Sequence, residues 1–193
     1  DNALRQIKTM IDLSINALFV DEKILMDALK GSFLEKIGIL SVTENVNNIQ
    51  LWSLYASSGQ GYAVELAAQS DAFVFDKGSN IGKSRFQKVS YTDDNSDSFI
   101  ENPLYLFLVK DKKWEFEREW RIIKSLELCN NVKGNVFTDI LPPGSVRRIV
   151  FGYNFDKSKI NQYINKIHRH DREIKFSIAQ LNVSNRSISL QEI

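Results

Sequence analysis

The segment KWEFEREWRII, which begins at Lys113, holds the residues of this chain best suited to chemistry at a charged centre. Glu117 and Glu119 stand close to Trp114, and Arg121 follows. Carboxylates held beside an aromatic ring can stabilise an oxocarbenium-like centre, as in glycosyl transfer. The same residues can also form surface ion pairs on a structural strand, where each pair contributes little. Both interpretations stay open on the sequence alone.

The period of this segment bears on the choice between a strand and a helix. In a strand, one face carries the charged side chains Glu115, Glu117, Glu119 and Arg121. In a helix, Glu117 and Arg121 form a favourable pair four residues apart. The paired isoleucines favour a strand from about Glu119, after a turn near Trp114.

A second group of candidates lies in the segment IQLWSLYA, which predicts a short helix. Trp52 and Tyr55 are either core residues or stacking surfaces for a ligand. Ser53 lacks the Gly-x-Ser-x-Gly context of a nucleophile elbow, so we do not predict a hydrolase triad. We assign Trp52, Ser53 and Tyr55 as candidate ligand-binding residues.

Glu65 alternates with apolar neighbours in the predicted strand YAVEL. A carboxylate in such a strand is either functional or paired with a cation, since a partly buried charge needs a partner. Arg121 or Lys110 is the expected partner. We therefore predict that the helix around Trp52 and the strand around Glu119 meet, with Glu65 and Arg121 within salt-bridge reach or sharing a water.

We predict no metal site. His168 and His170 precede Asp171 at the end of a predicted helix, where cationic side chains are favourable. The segment GSNIGKS has the wrong glycine spacing for a phosphate-binding loop. Arg147 and Arg148 are suited to phosphate, but adjacent strand residues face opposite sides.

Composition limits the classes of protein that fit. The chain has 193 residues, 43% of them hydrophobic, and a formal net charge of +1. This predicts a single domain over residues 1–193, with no membrane span and no global attraction to nucleic acid. The single cysteine, Cys129, fits a reducing, cytoplasmic compartment. The chain does not begin with Met, so we expect a preceding N-terminal segment.

The elements that must position these residues are helices followed by strands. N-terminal helices are expected over residues 1–18 and 21–30, a surface excursion over 67–85, and a further helix from Pro103 through Asp111. Runs of β-branched and aromatic residues predict strands at 37–43, 62–66, 119–125, 146–151, 175–183 and 186–192. The resulting class is α+β, with a mixed, mainly antiparallel, curved or split sheet and helices packed on it.

Three segments in order, LWSLYASSGQGYAVEL, KDKKWEFEREWR and VRRIVFGYNF, resemble the bacterial family catalogued as domain of unknown function 2971. The matching positions are Trp52, Ser53, Tyr55, Gly61 and Glu65, then Lys110, Trp114, Glu117, Glu119, Trp120 and Arg121, and finally Phe151 and Gly152. Two segments usual at the start of that family, Lys-Tyr-Arg-like and Asn-Asp-Pro-Phe-like, do not occur in these residues. The resemblance implies no assigned reaction.

Two functions are compatible with this pattern. The first is an enzyme for a nucleotide-like ligand, similar to ADP-ribosyltransferases, with NAD as a substrate. Glu119 and Glu117 would be catalytic, the aromatics would stack, and Lys110 and Arg121 would contact anions. The second is a non-catalytic binding or interaction domain of a bacterial defence or stress protein. The environment of Glu119 discriminates between them, because a catalytic carboxylate faces an open pocket and a structural one is covered by cations.

Overall fold

The computed structural model describes residues 36–68, 73, 85–93 and 107–193. These residues form an α+β architecture with mostly antiparallel strands in several sheets, which confirms the predicted fold class. The strands are β1 (Ile37–Thr43), β2 (Tyr62–Leu66), β3 (Gln87–Lys88), β4 (Ser90–Thr92), β5 (Val109–Asp111), β6 (Glu119–Ser125), β7 (Asn130–Lys133), β8 (Val136–Thr138), β9 (Val146–Phe151), β10 (Lys175–Asn182) and β11 (Ser187–Glu192), and the α-helices are α1 (Ile49–Tyr55) and α2 (Ile160–His168). The predicted N-terminal helices and most of the 67–85 excursion lie outside the described residues.

All six strands predicted from the sequence are present, with ends that agree to within a residue. They are divided between two sheets, because β1 and β6 belong to one and β2, β9, β10 and β11 to another. The chain correspondingly separates into two compact units. In the described residues, unit 1 comprises 36–42, 85–93, 107–115 and 119–140, and unit 2 comprises 43–68, 73, 116–118 and 141–193. That one domain spans the chain stays a prediction.

The core of unit 2 is a four-stranded sheet in the order β11-β10-β9-β2. β9 and β10 are parallel and are joined through α2, whereas the other neighbouring pairs are antiparallel. A parallel pair requires such a crossover, because the chain must return to the end of the sheet at which the first strand began before it can start the second.

Alternation along β9 gives this sheet two apolar faces. Val150 packs with Ala179, Ile188 and Trp52 of α1. Ile149 and Phe151, on either side of Val150 in the strand, point to the opposite face of the sheet. There they pack with Phe176 and with Ile160 of α2. One helix therefore covers each face of the sheet, and the hydrophobic core lies in two layers.

α1 begins and ends as its sequence predicts. The Asn48 side chain caps it by accepting the amide hydrogen of Gln50 at 2.8 Å. Beyond the helix, Ser57, Ser58 and Gly59 take left-handed φ angles of 48°, 56° and 79°. This turn reverses the chain into β2.

Glycines hold the end of this turn against the end of β9. The Gly152 amide donates to the Gly61 carbonyl at 2.9 Å, and a Cβ on Gly152 would lie 2.0 Å from the Gly59 carbonyl oxygen. Tyr153 covers Gly59 and meets the Trp52 ring edge-on, with centroids 6.5 Å apart. Only glycine allows the two backbones to approach so closely.

β2 and β9 end in a further backbone contact. Their register shifts between Glu65 and Leu66, and beyond β2 the Ala67 amide donates to the Ser145 carbonyl at 2.9 Å. Ala67 and Ser145 are both buried. Between these two residues, the described ranges 85–93, 107–115 and 119–140 belong to unit 1, and the hydrogen bond joins the points of unit 2 on either side of them.

Unit 1 contains the three-stranded sheet β1-β6-β3, the parallel pair β4-β5 and the hairpin β7-β8. The sequence favoured a helix through 109–111, but these residues form β5, because they pair in register with β4. A 3₁₀ helix follows at Lys112–Glu117, and β6 begins at Glu119. The predicted turn near Trp114 and strand from Glu119 are therefore confirmed.

Candidate functional site

The charged network of unit 1 is built around Glu119, the first residue of β6. Arg121 lies two residues along the same strand, so its side chain projects on the same side. Arg121 Nε donates to Glu119 Oε1 at 2.8 Å, and Arg121 Nη2 donates to Oε2 at 2.9 Å. This is the fork-to-fork geometry in which an arginine binds a carboxylate most strongly. Both oxygens of Glu119 are occupied by one guanidinium group.

Further contacts fix the two partners. Lys110 Nζ lies 3.4 Å from Glu119 Oε2, and the Glu119 amide donates to the Tyr91 hydroxyl at 2.8 Å. Arg121 Nη1 donates to the Phe107 carbonyl at 2.6 Å. The Glu119 residue is only 6% exposed. The pair is therefore held from both ends and sheltered from water.

The ionisation of Glu119 reflects two opposed effects. Burial on its own raises the pKa of this carboxyl, because it removes the charged form from water. Hydrogen bonds from Arg121 and Ser41, with the charges of Arg121 and Lys110, outweigh burial and hold the pKa below its ordinary value. Glu119 is thus a carboxylate at neutral pH.

Trp114 completes this network on the side of Lys110. Lys110 Nζ stands 5.0 Å from the centre of the Trp114 ring, within range of a cation–π interaction. The Lys110 side chain is 24% exposed, more than either Glu119 or Arg121. Lys110 and Trp114 form the part of the network that solvent reaches.

Glu117 belongs to unit 2 and has different neighbours. Its Oε1 accepts the hydroxyl hydrogen of Tyr55 at 2.6 Å. Glu117 is 4% exposed, whereas Tyr55 is 69% exposed. Two side chains hold the backbone of this segment in place, since the Thr43 hydroxyl donates to the Glu117 carbonyl and the Asn48 amide donates to the Phe116 carbonyl.

The predicted site residues therefore fall into two groups. Lys110, Trp114, Glu119 and Arg121 come together in unit 1, and Tyr55 and Glu117 come together in unit 2. Glu117 and Glu119 do not share a strand face, in agreement with the predicted start of the strand at Glu119. Glu117 ends a 3₁₀ helix, and Arg118 has a left-handed φ of 46°, so strand alternation starts only at Glu119.

Two candidates of the α1 helix serve the fold. Trp52 is buried in the core, and its indole nitrogen donates to the Val46 carbonyl at 2.7 Å. Ser53 donates to the Ile49 carbonyl one turn earlier at 3.0 Å. Trp52 therefore offers no surface for stacking a ligand, and Ser53 has the contact usual for a helical serine.

Glu65 pairs with a cation that the sequence did not indicate. Its Oε2 lies 3.2 Å from Arg148 Nε, and the two residues are opposite each other in the β2-β9 register. The expectation of Arg121 or Lys110 as the partner was wrong, because β2 pairs with β9 and those two cations bind Glu119. The Glu65 side chain is 45% exposed, so this is a surface pair.

Sequence reasoning missed Tyr91, Ser41 and Phe107, which all contact Glu119 or Arg121. Tyr91 and Phe107 lie in segments that carry no motif. Phe107 contributes a backbone carbonyl, which no residue type signals. Pairing of strands that are distant in sequence brings these groups together. The spacing of residues along the chain does not predict that pairing.

Across the described residues, no three His, Cys, Asp or Glu side chains are grouped so that they could hold a metal ion. His168 instead contacts the ring of Phe176, with centroids 5.0 Å apart, and its Nε2 lies 3.3 Å from the Ile174 carbonyl. No helix in the described part of the chain is long and apolar enough to cross a bilayer.

Comparison of the chain with protein-family models, with curated proteins and with solved structures finds no significant match. The chain is thus characterised by its own geometry, as an α+β protein with a largely buried Glu–Arg–Lys network in one unit and a Tyr–Glu pair in the other.

Proposed function

We propose that this chain is a non-catalytic binding domain in which Glu119, Arg121 and Lys110 form a structural ion network. The observation that carries the proposal is the double hydrogen bond from Arg121 to both oxygens of Glu119. A carboxylate that stabilises a cationic transition state must direct an oxygen at the reacting atom. Both Glu119 oxygens are directed at Arg121 instead.

The charge balance supports the same proposal. Two cations, Arg121 and Lys110, lie within 3.4 Å of the one Glu119 carboxylate. They compensate the negative charge that would act on a developing oxocarbenium ion. Breaking such a buried pair leaves an uncompensated charge, so its geometry contributes to keeping the fold in one arrangement.

A second candidate function, NAD-dependent glycosyl transfer similar to that of ADP-ribosyltransferases, is favoured by the contact between Tyr55 and Glu117. The Tyr55 ring is largely exposed, and its hydroxyl lies 2.6 Å from a buried carboxylate. A ligand that displaces the phenol would meet that carboxylate. In this candidate Glu117 would be catalytic, Tyr55 would position the ligand, and NAD would be the substrate.

One experiment separates the two candidates. Nicotinamide release from NAD is measured for the parent chain and for Glu117→Gln, Glu119→Gln and Glu115→Gln, the last being a control at an exposed glutamate in the same segment. The binding-domain proposal expects no turnover from any of the four. Turnover in the parent that is lost in a stably folded Glu117→Gln or Glu119→Gln protein would overturn it and establish the enzyme.

We further propose that the chain belongs to the bacterial family catalogued as domain of unknown function 2971, and that it serves in the cytoplasm as a module of a defence or stress protein. Support for the family comes from the matching positions Trp52, Gly61 and Gly152, which all contribute to the closely packed turn of unit 2. Support for the compartment comes from the single free cysteine, Cys129.

A further inference from the structure

The helix α2 has its apolar side fully engaged in the core of unit 2. Ile160 is buried against Phe151 and Phe176, and Ile164 and Ile167 pack on the same cluster. The opposite side is exposed and polar: it carries Asn161, Gln162, Asn165 and Lys166, with Arg169 directly after the helix. This outer side carries two positive charges, Lys166 and Arg169, and no carboxylate.

Basic residues gather where α2 ends and the parallel strands begin. Lys166 and Arg169 lie at the end of α2, and Arg172 lies between α2 and β10. Arg148 is opposite Lys175 in the β9-β10 register, so Arg147 lies at this same end of the sheet. We call Arg147, Lys166, Arg169 and Arg172 the basic end of unit 2.

These four cations lack the carboxylate partners that some other cations of the chain have. Arg121, Arg148 and Lys159 all form ion pairs. In the described residues, the four members of the basic end are exposed and none forms an ion pair. An exposed guanidinium group without a partner keeps its full donor capacity for an external anion.

Acidic residues near the basic end are fewer than the cations. Asp171 and Glu173 lie in the same connection between α2 and β10. Asp171 is occupied locally, since its Oδ1 accepts the Glu173 amide hydrogen at 2.9 Å. His170 adds an exposed imidazole. The region therefore keeps an excess of positive charge, although the net charge of the whole chain is only +1.

We propose that the basic end binds the phosphodiester backbone of a nucleic acid. Unpaired Arg and Lys side chains at one end of a helix are the electrostatic footprint of such binding. The exposed amide of Asn165, which directly precedes Lys166, adds a donor and an acceptor for phosphate, sugar or base contacts. Four separate cations can be contacted at the same time by a ligand that carries several negative charges along its length. A chain of phosphates meets this requirement.

An anionic membrane is the less favoured partner. Helices that bind membrane surfaces insert an apolar face among the lipid chains. The apolar face of α2 is already buried against β9 and β10. Its exposed face offers one large aromatic residue, Tyr163, among amides and cations. The surface fits phosphate contacts and does not fit insertion.

The inference names a partner for the binding domain proposed above and rests on that proposal, but its test is separate, because oligonucleotide affinity is measured without any NAD. The full chain is titrated into a fluorescein-labelled single-stranded DNA and a mixed-sequence DNA duplex, with fluorescence anisotropy as the readout. Contacts to about four phosphates predict that affinity falls about 100-fold between roughly 50 and 200 mM salt. A triple variant, Lys166→Gln, Arg169→Gln and Arg172→Gln, should reduce the slope of log affinity against log salt by about three.

A matched control removes the same charge elsewhere, through Lys112→Gln, Lys113→Gln and Lys133→Gln, and should bind nearly as the parent does. Glu173→Gln should bind more tightly, and a gain in affinity cannot arise from misfolding. No binding of either DNA at low salt would overturn the inference. So would equal weakening by both triple variants, or binding to phosphatidylserine vesicles in place of DNA.

Discussion

Arg121 lies two residues beyond Glu119 on one strand and donates to both oxygens of its carboxylate, at 2.8 and 2.9 Å. The i, i+2 spacing puts the two side chains on the same face without any contribution from tertiary structure. Burial of Glu119 then depends on the strands that flank β6, β1 and β3. Local sequence therefore specifies the pair, and the sheet determines how far water is excluded from it.

Replacing Glu119 by Gln should lower the free energy of unfolding by about 3–5 kcal/mol, because Arg121 would keep its charge in a sheltered site without a carboxylate. Urea denaturation monitored by circular dichroism measures this change. Glu115→Gln, at an exposed position, should stay within about 0.5 kcal/mol of the parent. The double variant Glu119→Leu, Arg121→Met should be more stable than Glu119→Gln. If Glu119→Gln leaves stability unchanged, the network is not structural.

Acid should remove the stability contributed by Glu119. The folded state holds the pKa of this carboxyl below its ordinary value of 4.5, so the contribution is complete above that pH and is lost as pH falls through the folded-state pKa. Hydrogen bonds also lower the pKa of Asp111 and Asp156. These two aspartates titrate in both proteins, so their effect on stability cancels in the comparison. The difference in unfolding free energy between the parent and Glu119→Gln should therefore shrink below pH 4.5. A difference independent of pH down to the acid transition would contradict the assignment.

Gly152→Ala should destabilise unit 2 by about 2 kcal/mol or more, since the new methyl group would lie 2.0 Å from a backbone oxygen that cannot move away easily. Gly134→Ala is the matched control. Its φ of 58° disfavours alanine, but no atom lies within 4 Å of the added Cβ, so the expected loss is about 1 kcal/mol. Thermal melting of both variants gives the comparison. Equal losses would show that steric contact at Gly152 is relieved by backbone movement.

Two buried serines should respond to alanine with opposite signs. Ser177 is fully buried in β10, and its hydroxyl is without a hydrogen-bond partner in the described structure, so Ser177→Ala should raise stability by about 1 kcal/mol. Ser145 is also buried, but its hydroxyl donates to the Pro142 carbonyl at 2.6 Å, and Ser145→Ala should lower stability by about 1 kcal/mol. Chemical denaturation of the two variants side by side measures the contrast. A loss of stability in Ser177→Ala would indicate that its hydroxyl is satisfied in solution.

The elements of this protein were predictable where the local pattern was strong. Alternating β-branched residues located the strands, and the helical pattern of IQLWSLYA located α1. The segment at 109–111 was assigned to a helix because its apolar residues continue a longer apolar run. It forms β5 because β4 offers a pairing partner, and a partner distant in sequence leaves no local signal.

In the candidate site, too, local features could be predicted from the sequence and features that depend on tertiary pairing could not. The Glu119–Arg121 pair follows from strand alternation and could be anticipated, although the sequence offered Glu65 as an equal partner for Arg121. The choice between these carboxylates depends on register, since Glu65 lies opposite Arg148. The separation of Glu117 from Glu119 depends on the left-handed conformation of Arg118, a residue type that does not indicate positive φ.

The hydrogen bond from Ala67 to Ser145 brings the two ends of a long stretch of chain together on unit 2. With respect to unit 2, the chain between these two residues is a loop whose ends are held together. The entropic cost of closing a loop rises only with the logarithm of its length. Doubling its length would add about 0.6 kcal/mol. Extra residues are therefore tolerated at little thermodynamic expense where they disturb no strand and no buried contact, as in the exposed turn at Gly134 between β7 and β8. Variation in chain length among descendants of this protein is expected to accumulate at such turns, while the strands of unit 2 keep their spacing.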